Sequence, residues 1–462
     1  MEHLTTLDAG FLEAEDSDRH ISLAVGGLSV IEGPMPEFDD FAHGFAARIV
    51  ALPRFRQVLH THMLDLQPPE WVETAEVDLS HHIHRAALPH PGDDEALYRF
   101  VADVMERRLD RDRPLWECWI IEGLADGRWA VLMKIHHCIA DGIATMHMIS
   151  ALSDDGEGQT FATRIRAARV EQPASDPPSR VSLNPLDWAG SAWHLAGSLT
   201  SAAALAVEGA VQIASGIVNP APESSLTGPV TAMRRYSAAR VRLGDVNTIS
   251  EAFGVTLNDV ALAALTDSFR AALIRRGVRP QRNSLRTLVP VSIRTTDAAA
   301  ITDNRVSVML PFLPVDKEDP VEQLRAVHRR LARAKHSGQR EAGSIFVAAT
   351  NVMPFPLTAW AVRALTRFPQ RGVVTLATNV PGPRQRLRIM GRDVLHVSPI
   401  PPIALGLRTG VAIVSYADEL AFGITADYDA TPDVDEIARG IERGVARLVT
   451  CCPTTKEHDD ES

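Results

Sequence analysis

The chain has 462 residues, 45% of them hydrophobic and 23% charged, with a net charge of −11 from 47 basic and 58 acidic side chains. That length exceeds one ordinary core and implies roughly two to three domains. The composition excludes a disordered or fibrous chain, and the acidic balance argues against a nucleic-acid-binding protein.

The first part reads as mixed α/β. Residues 21–31 are strand-like, and 38–52 and 94–109 carry apolar residues at helical spacing. Two apolar runs at 116–122 and 129–135, separated by Asp126-Gly127, predict a hairpin. A helix is expected at 143–152. The texture then changes, with linker-like runs at 154–158 and 171–178. In the stretch 188–217 the only formal charge is Glu208, thirteen of thirty residues are Ala or Gly, and only seven are Leu, Ile or Val. Leu, Ile, Val and Phe supply most of the insertion energy of a spanning helix. The stretch is therefore expected to pack on protein or lie on a membrane surface. A second α/β unit follows, with helices at 246–253, 258–276 and 320–336 and strands at 284–293, 306–313, 373–379, 411–416 and 420–428. The boundaries are 1–160 for the first half, 161–232 for the linker with its Ala-rich helical segment, 233–450 for the second half and 451–462 for a flexible acidic tail.

Four cysteines, Cys118, Cys138, Cys451 and Cys452, lack the spacing of a zinc site and do not amount to a disulfide framework. The first ten residues lack a basic segment followed by an apolar core, so a cytoplasmic location is expected. His81, His82 and His84 cluster, but no further ligand at the right spacing completes a metal site, and none is expected. G-x-S-x-G, P-loop, G-x-G-x-x-G and H-E-x-x-H patterns are missing, which leaves hydrolase, NTPase and dehydrogenase readings without residues.

The sharpest local feature is Lys134-Ile-His136-His137-Cys-Ile-Ala-Asp141-Gly142. An apolar strand delivers two histidines, and Gly142 permits a tight turn into the next helix. An imidazole with a reference pKa of about 6.5 suits general-base work on a hydroxyl or amine. Asp141 either orients the site by pairing with an arginine, for which Arg294 is the candidate, or caps the helix. Neighbouring side chains at a strand end tend to point to opposite faces, so Cys138 is expected to face away from the site. Thr256-Leu-Asn258-Asp259 also reads as a capping box, in which Asp259 is structural.

The His-His-x-x-x-Asp-Gly motif resembles the signature of the CoA-dependent acyltransferase superfamily. Further blocks narrow the resemblance to the bacterial wax ester synthase/diacylglycerol acyltransferases, closest to actinobacterial triacylglycerol synthases. They are Leu4-Thr-Thr-Leu-Asp-Ala-Gly-Phe11, Arg113-Pro114-Leu115-Trp116-Glu117, Asn258-Asp259, 289–294, 303–307 and Thr378-Asn379-Val-Pro-Gly-Pro383. The resemblance implies two chloramphenicol-acetyltransferase-like α/β domains, mixed sheets with helices, and a substrate channel between them. It implies acyl transfer from acyl-CoA to diacylglycerol, and to long-chain alcohols in wax ester synthesis. His137 would be the general base, His136 its supporting neighbour, Asp141 and Gly142 the orienting turn, and Asn258 an oxyanion donor. Pro114, Leu115, Trp116, Asp259, Arg294 and Asn379 would be structural or line the channel. Acyl-CoA is then a substrate rather than a bound cofactor, and no cofactor is expected. Two insoluble substrates imply peripheral association with the inner membrane or lipid droplets. Two other readings use the same motif: a condensation or polyketide-type acyltransferase with a carrier-bound donor, and an inactive lipid-droplet binding protein. The basic residues Arg325, Arg329, Arg330, Arg333, Lys335 and Arg340 suit phosphates or anionic headgroups. The favoured reading of them is a solvated helix face.

Overall fold

A computed structural model of the chain describes residues 2–4, 6–49, 52–61, 69–74, 77–139, 146, 149–150, 152–154, 224–292, 306–336 and 373–453. The Ala-rich stretch, most of the helix expected at 143–152, the acidic end, and Asp141, Gly142, Arg294 and Arg340 lie outside these residues. In chain order the elements are β1 (Glu2–His3), α1 (Thr6–Ser17), β2 (Ala24–Ile31), α2 (Phe38–Ile49), β3 (Gln57–His60), β4 (Glu70–Glu73), β5 (Ile83–Ala87), α3 (Asp94–Met105), β6 (Trp116–Glu122), β7 (Trp129–His136) and β8 (Arg234–Arg242). They continue with α4 (Leu243–Phe253), α5 (Leu257–Arg275), β9 (Thr287–Ser292), β10 (Val306–Met309), α6 (Pro320–His336), β11 (Thr375–Pro381), β12 (Arg388–Ile389), β13 (Arg392–Ile400), β14 (Thr409–Tyr416), β15 (Glu419–Asp427) and α7 (Val434–Thr450). α3 ends earlier than the apolar spacing suggests. Pro53 begins a new 3-10 turn after α2, and the chain turns at Glu106 after α3.

Among the described residues the strands form two six-stranded sheets and one three-stranded sheet of order β1-β4-β3. The first large sheet has the order β12-β13-β2-β7-β6-β5, and the second β10-β9-β11-β14-β15-β8. The hairpin β6–β7 is antiparallel, with Trp116 opposite Ile135. Every residue of β2 is buried. Both of its faces are covered, so its sequence is a nearly continuous apolar run rather than an alternation. Ala24, Leu28 and Val30 pack with α1 and α3 on one side, and Val25 and Ile31 with α2 on the other.

The division into halves along the sequence is not the division in space. β13 leaves the second half and pairs antiparallel with β2, extending the first sheet. The same strand presses against the second sheet. The Pro399 carbonyl accepts a hydrogen bond from the Tyr236 hydroxyl at 3.1 Å, and a Cβ added at Gly423 of β15 would lie 1.6 Å from that carbonyl oxygen. Only glycine permits this approach. β8 meets α3 of the first half through an edge-on Tyr98–Tyr236 contact at 5.4 Å and an Arg240–Asp94 ion pair at 3.2 Å.

In the second half, α7 buries Val434, Ile437, Ala438, Ile441, Val445 and Leu448 at helical spacing against the sheet and α5. Gly440 lets the two helix backbones come close, because a Cβ there would lie 2.5 Å from Ser268 Oγ.

Candidate active site

Strand β7 lies between β2 and β6 and ends at His136. The Leu115 carbonyl accepts the His136 N–H at 3.0 Å, and the Leu23 carbonyl accepts the His137 N–H at 3.1 Å. Both histidine amides are thus fixed by the flanking segments. This is the part played by the Pro114-Leu115-Trp116 block. Leu115 and Trp116 are fully buried, and Trp116 donates to the Phe55 carbonyl at 3.0 Å and stacks on His82. They are packing residues that hold the strand end. Burial of this kind makes a Trp→Ala change cost about 3–5 kcal/mol.

Alternation along β7 places Lys134 and His136 on one face, and both are buried. Each has an acidic neighbour. Lys134 Nζ lies 3.6 Å from Glu117 Oε2 and donates to the Val104 carbonyl at 2.9 Å, in the last turn of α3. Burial lowers the Lys134 pKa, while Glu117 opposes that shift. His136 Nε2 lies 3.6 Å from Glu15 Oε2. Glu15 comes from α1 and is itself 1% exposed. Its Oε1 accepts the Leu23 N–H at 3.0 Å, and its Oε2 meets the Arg111 guanidinium at 2.8 Å. Burial opposes ionisation of Glu15, but His136, Arg111 and the Leu23 N–H together hold its pKa down to about 2. Arg108 closes the end of α1 by donating to the carbonyls of Glu15, Asp18 and Ile21, a favourable place for a cation.

His137 is partly exposed, and its ring stacks on Phe11 with centroids 4.2 Å apart. Cys138 lies on the side of His136, two residues before it, as strand alternation would have it. The chain turns at 137–139, and the Cys138 Sγ lies 3.0 Å from His136 Nδ1. Burial pushes its thiol pKa well up, which removes the thiolate a nucleophile needs.

Asn258 and Asp259 open α5. Thr256 and Asp259 close a reciprocal capping box, and the Asp259 carboxylate also meets His328 Nδ1 of α6 at 2.9 Å. Asn379 of β11 donates to Asn258 Oδ1 at 3.4 Å, so two blocks far apart in sequence meet. Among the described residues no hydrogen bond joins this asparagine pair to His136. His82 and His84 turn to different aromatic partners, Trp116 and Trp119, and no group of three metal-binding side chains occurs among the described residues.

Glu15, Arg111 and the stacking role of Phe11 are not evident from the motifs. The available signal is periodicity. Ala9, Leu12 and Glu15 recur every three residues in α1 and are all buried, which puts a carboxylate on an apolar stripe, where it needs a partner.

Two family models account for most of the chain: the wax ester synthase/diacylglycerol acyltransferase catalytic domain over residues 4–261 and the WS/DGAT C-terminal domain over 302–448. The chain is 54% identical to a Mycobacterium tuberculosis protein named "Probable diacyglycerol O-acyltransferase tgs1", over 97% of this chain and 96% of that one. The fold matches a solved wax ester synthase/diacylglycerol acyltransferase from Marinobacter aquaeolei, with a TM-score of 0.68 at 24% identity, covering 97% of this chain and 99% of the other. It also matches the first condensation domain of the calcium-dependent antibiotic synthetase, with a TM-score of 0.60 at 15% identity and coverage of 98% and 96%. The two α/β halves are therefore an architecture shared beyond acyl transfer to lipids, while the family models and the identity are specific. The chain belongs to the wax ester synthase/diacylglycerol acyltransferase family.

Proposed function

We propose that the protein transfers a fatty acyl group from acyl-CoA to the free hydroxyl of diacylglycerol, forming triacylglycerol, and to long-chain alcohols, forming wax esters. His137 takes the hydroxyl proton as the oxygen attacks the thioester carbonyl carbon. The tetrahedral intermediate then collapses, the C–S bond breaks, and the sulfur of CoA leaves with the proton returned by His137. Asn258 stabilises the oxyanion. Its Oδ1 is engaged by Asn379, which leaves Nδ2 as the donor. Asp141 and Gly142 shape the turn after the histidines.

The observation that carries the reading is the partly exposed His137 beside the buried, charge-compensated His136–Glu15–Arg111 group, in a chain of this family. Direct transfer in a ternary complex fits the burial of Cys138, the nucleophile nearest the base. No bound cofactor is required. Among the described residues no helix is long and apolar enough to cross a membrane, and the protein meets its lipid substrates by peripheral association with a membrane or droplet.

The test is product analysis of the purified protein with labelled acyl-CoA and either diacylglycerol or a long-chain alcohol, alongside the same acyl group on a carrier protein. Triacylglycerol or wax ester from the free acyl-CoA is expected. Neither product, or product from the carrier-bound donor alone, would refute the reading.

A further inference from the structure

Helix α6 forms one wall of a cleft of about 240 Å³. Arg329, Arg330 and Arg333 come from the helix, and Arg282, Asp316 and Lys317 from two other segments of the second half. Five cations thus face one carboxylate, in the volume of roughly eight waters at ~30 Å³ each. Internal neutralisation is incomplete. Lys317 lies 3.5 Å from Glu322, and Arg330 donates to the Phe312 carbonyl at 2.6 Å. Among the described residues the side chains of Arg282, Arg329 and Arg333 make no ion pair or hydrogen bond. The Asp316 Oδ1 atom is buried and also has no hydrogen-bond partner there. Burial lowers the Arg330 pKa, Asp316 opposes that, and the charges of Arg282, Arg333 and Arg329 lower it further.

A solvated helix face would spread its cations into water. Arg282, Arg329 and Arg333 are exposed, but residues from three segments converge on one open hollow, and the clustered like charges raise a positive potential there that favours an anion. Arginine suits phosphate in particular, because its planar fork matches two phosphate oxygens.

We propose that this cleft binds a phosphate-bearing ligand, with Arg282, Arg329 and Arg333 taking the phosphate oxygens and a ligand hydroxyl or ammonium donating to Asp316. The chemistry belongs equally to the phosphorylated nucleotide end of an acyl-CoA and to an anionic phospholipid headgroup. The first assignment deepens the acyl-CoA reading and rests on it. It is favoured by continuity with the candidate site: His328, one residue before Arg329, touches Asp259 beside Asn258. From His328 to Arg333 the helix advances only ~7.5 Å.

The experiment uses the full chain and two probes that need no turnover: calorimetric titration with adenosine 3′,5′-bisphosphate, and sedimentation with phosphatidylcholine vesicles with or without phosphatidylglycerol. The double variant Arg329→Glu/Arg333→Glu should weaken binding by roughly tenfold or more for each charge-assisted hydrogen bond lost. Arg329→Gln/Arg333→Gln should weaken it by a smaller step, and serves if the reversed charges disturb folding. Weakened bisphosphate binding with unchanged vesicle binding assigns the nucleotide. Loss of phosphatidylglycerol-dependent sedimentation alone assigns the headgroup, and loss of both supports the shared phosphate chemistry. Wild-type protein that binds neither probe, or folded variants that bind both as well as wild type, overturns the proposal. Failure of the acyl-transfer reading would show separately, as bisphosphate binding intact in a protein that makes no product from acyl-CoA.

Discussion

Replacing Glu15 by Gln removes one negative charge from behind the histidines while keeping its shape. The amide oxygen still accepts the Leu23 N–H, but the variant leaves Arg111 with Asp16 as its carboxylate partner and removes the anion 3.6 Å from His136. The folded carboxylate titrates at about 2 against an ordinary 4.5, and at about 1.36 kcal/mol per unit this corresponds to roughly 3 kcal/mol of stability. The folded value is the depressed one. The contribution is therefore complete above pH 4.5, shrinks as the pH falls below it, and is lost below about 2. Urea unfolding of wild type and Glu15→Gln at pH 7, 5, 4 and 3 isolates this term, because the other carboxylates cancel in the difference. We expect a difference of about 1–3 kcal/mol at pH 7, narrowing steadily below pH 4.5. Turnover should fall by roughly 10–100-fold with little change in KM, as expected if the imidazoles lose their placement rather than their chemistry. A stability difference independent of pH, or one that widens in acid, would refute the account of Glu15 as an ionised support.

His137→Ala should lower turnover by about 10²–10⁴-fold, with a stability loss of only about 0.5–1.5 kcal/mol from the Phe11 stack. His136→Ala should fall between wild type and His137→Ala in activity, and the reverse order in a turnover assay would displace the base by one residue. Cys138→Ala should keep most activity, and mass spectrometry after incubation with labelled acyl-CoA should find no acyl group on Cys138. Gly423→Ala puts a Cβ into the Pro399 carbonyl. It should destabilise the protein by about 1–3 kcal/mol or more, and thermal unfolding indistinguishable from wild type would mean that β13 and β15 are not in such close contact.

Features encoded by neighbouring residues are legible in the sequence. The β6–β7 hairpin, the α5 capping box and the strand that delivers the histidines all depend on short-range pattern. Two features are not legible in this way. β13 carries an ordinary strand signal, but its partner is β2. Near their junction Asp393 and Glu32, 361 residues apart, exchange hydrogen bonds. No local periodicity specifies which sheet a strand joins. Glu15 is hidden for the same reason. Its ion-pair partner Arg111 is 96 residues away, and its helix begins inside a family block whose motif masks the apolar stripe beneath it. The asparagine pair is an intermediate case. Each residue stands in a separate block, and the contact that joins the two blocks is tertiary.

These long-range pairings bear directly on the proposed chemistry. The proposed base is held by residues of the first half: the carbonyls of Leu115 and Leu23 fix the histidine amides, Phe11 stacks on the His137 ring, and Glu15 backs His136. The proposed oxyanion donor is held by the second half, by the cap of α5 and by β11. The distance between base and donor is therefore a property of how the halves are joined, not of either half alone. β13 does the joining, as a strand of the first sheet whose Pro399 carbonyl also contacts Tyr236 and Gly423 of the second. α3 and β8 reinforce it through Tyr98, Tyr236 and the Arg240–Asp94 pair. Misplacing reacting groups by about 1 Å can cost on the order of 10²-fold in rate. Substitutions at this junction, such as Gly423→Ala, are therefore expected to lower turnover as strongly as the loss of a hydrogen bond at the proposed site would.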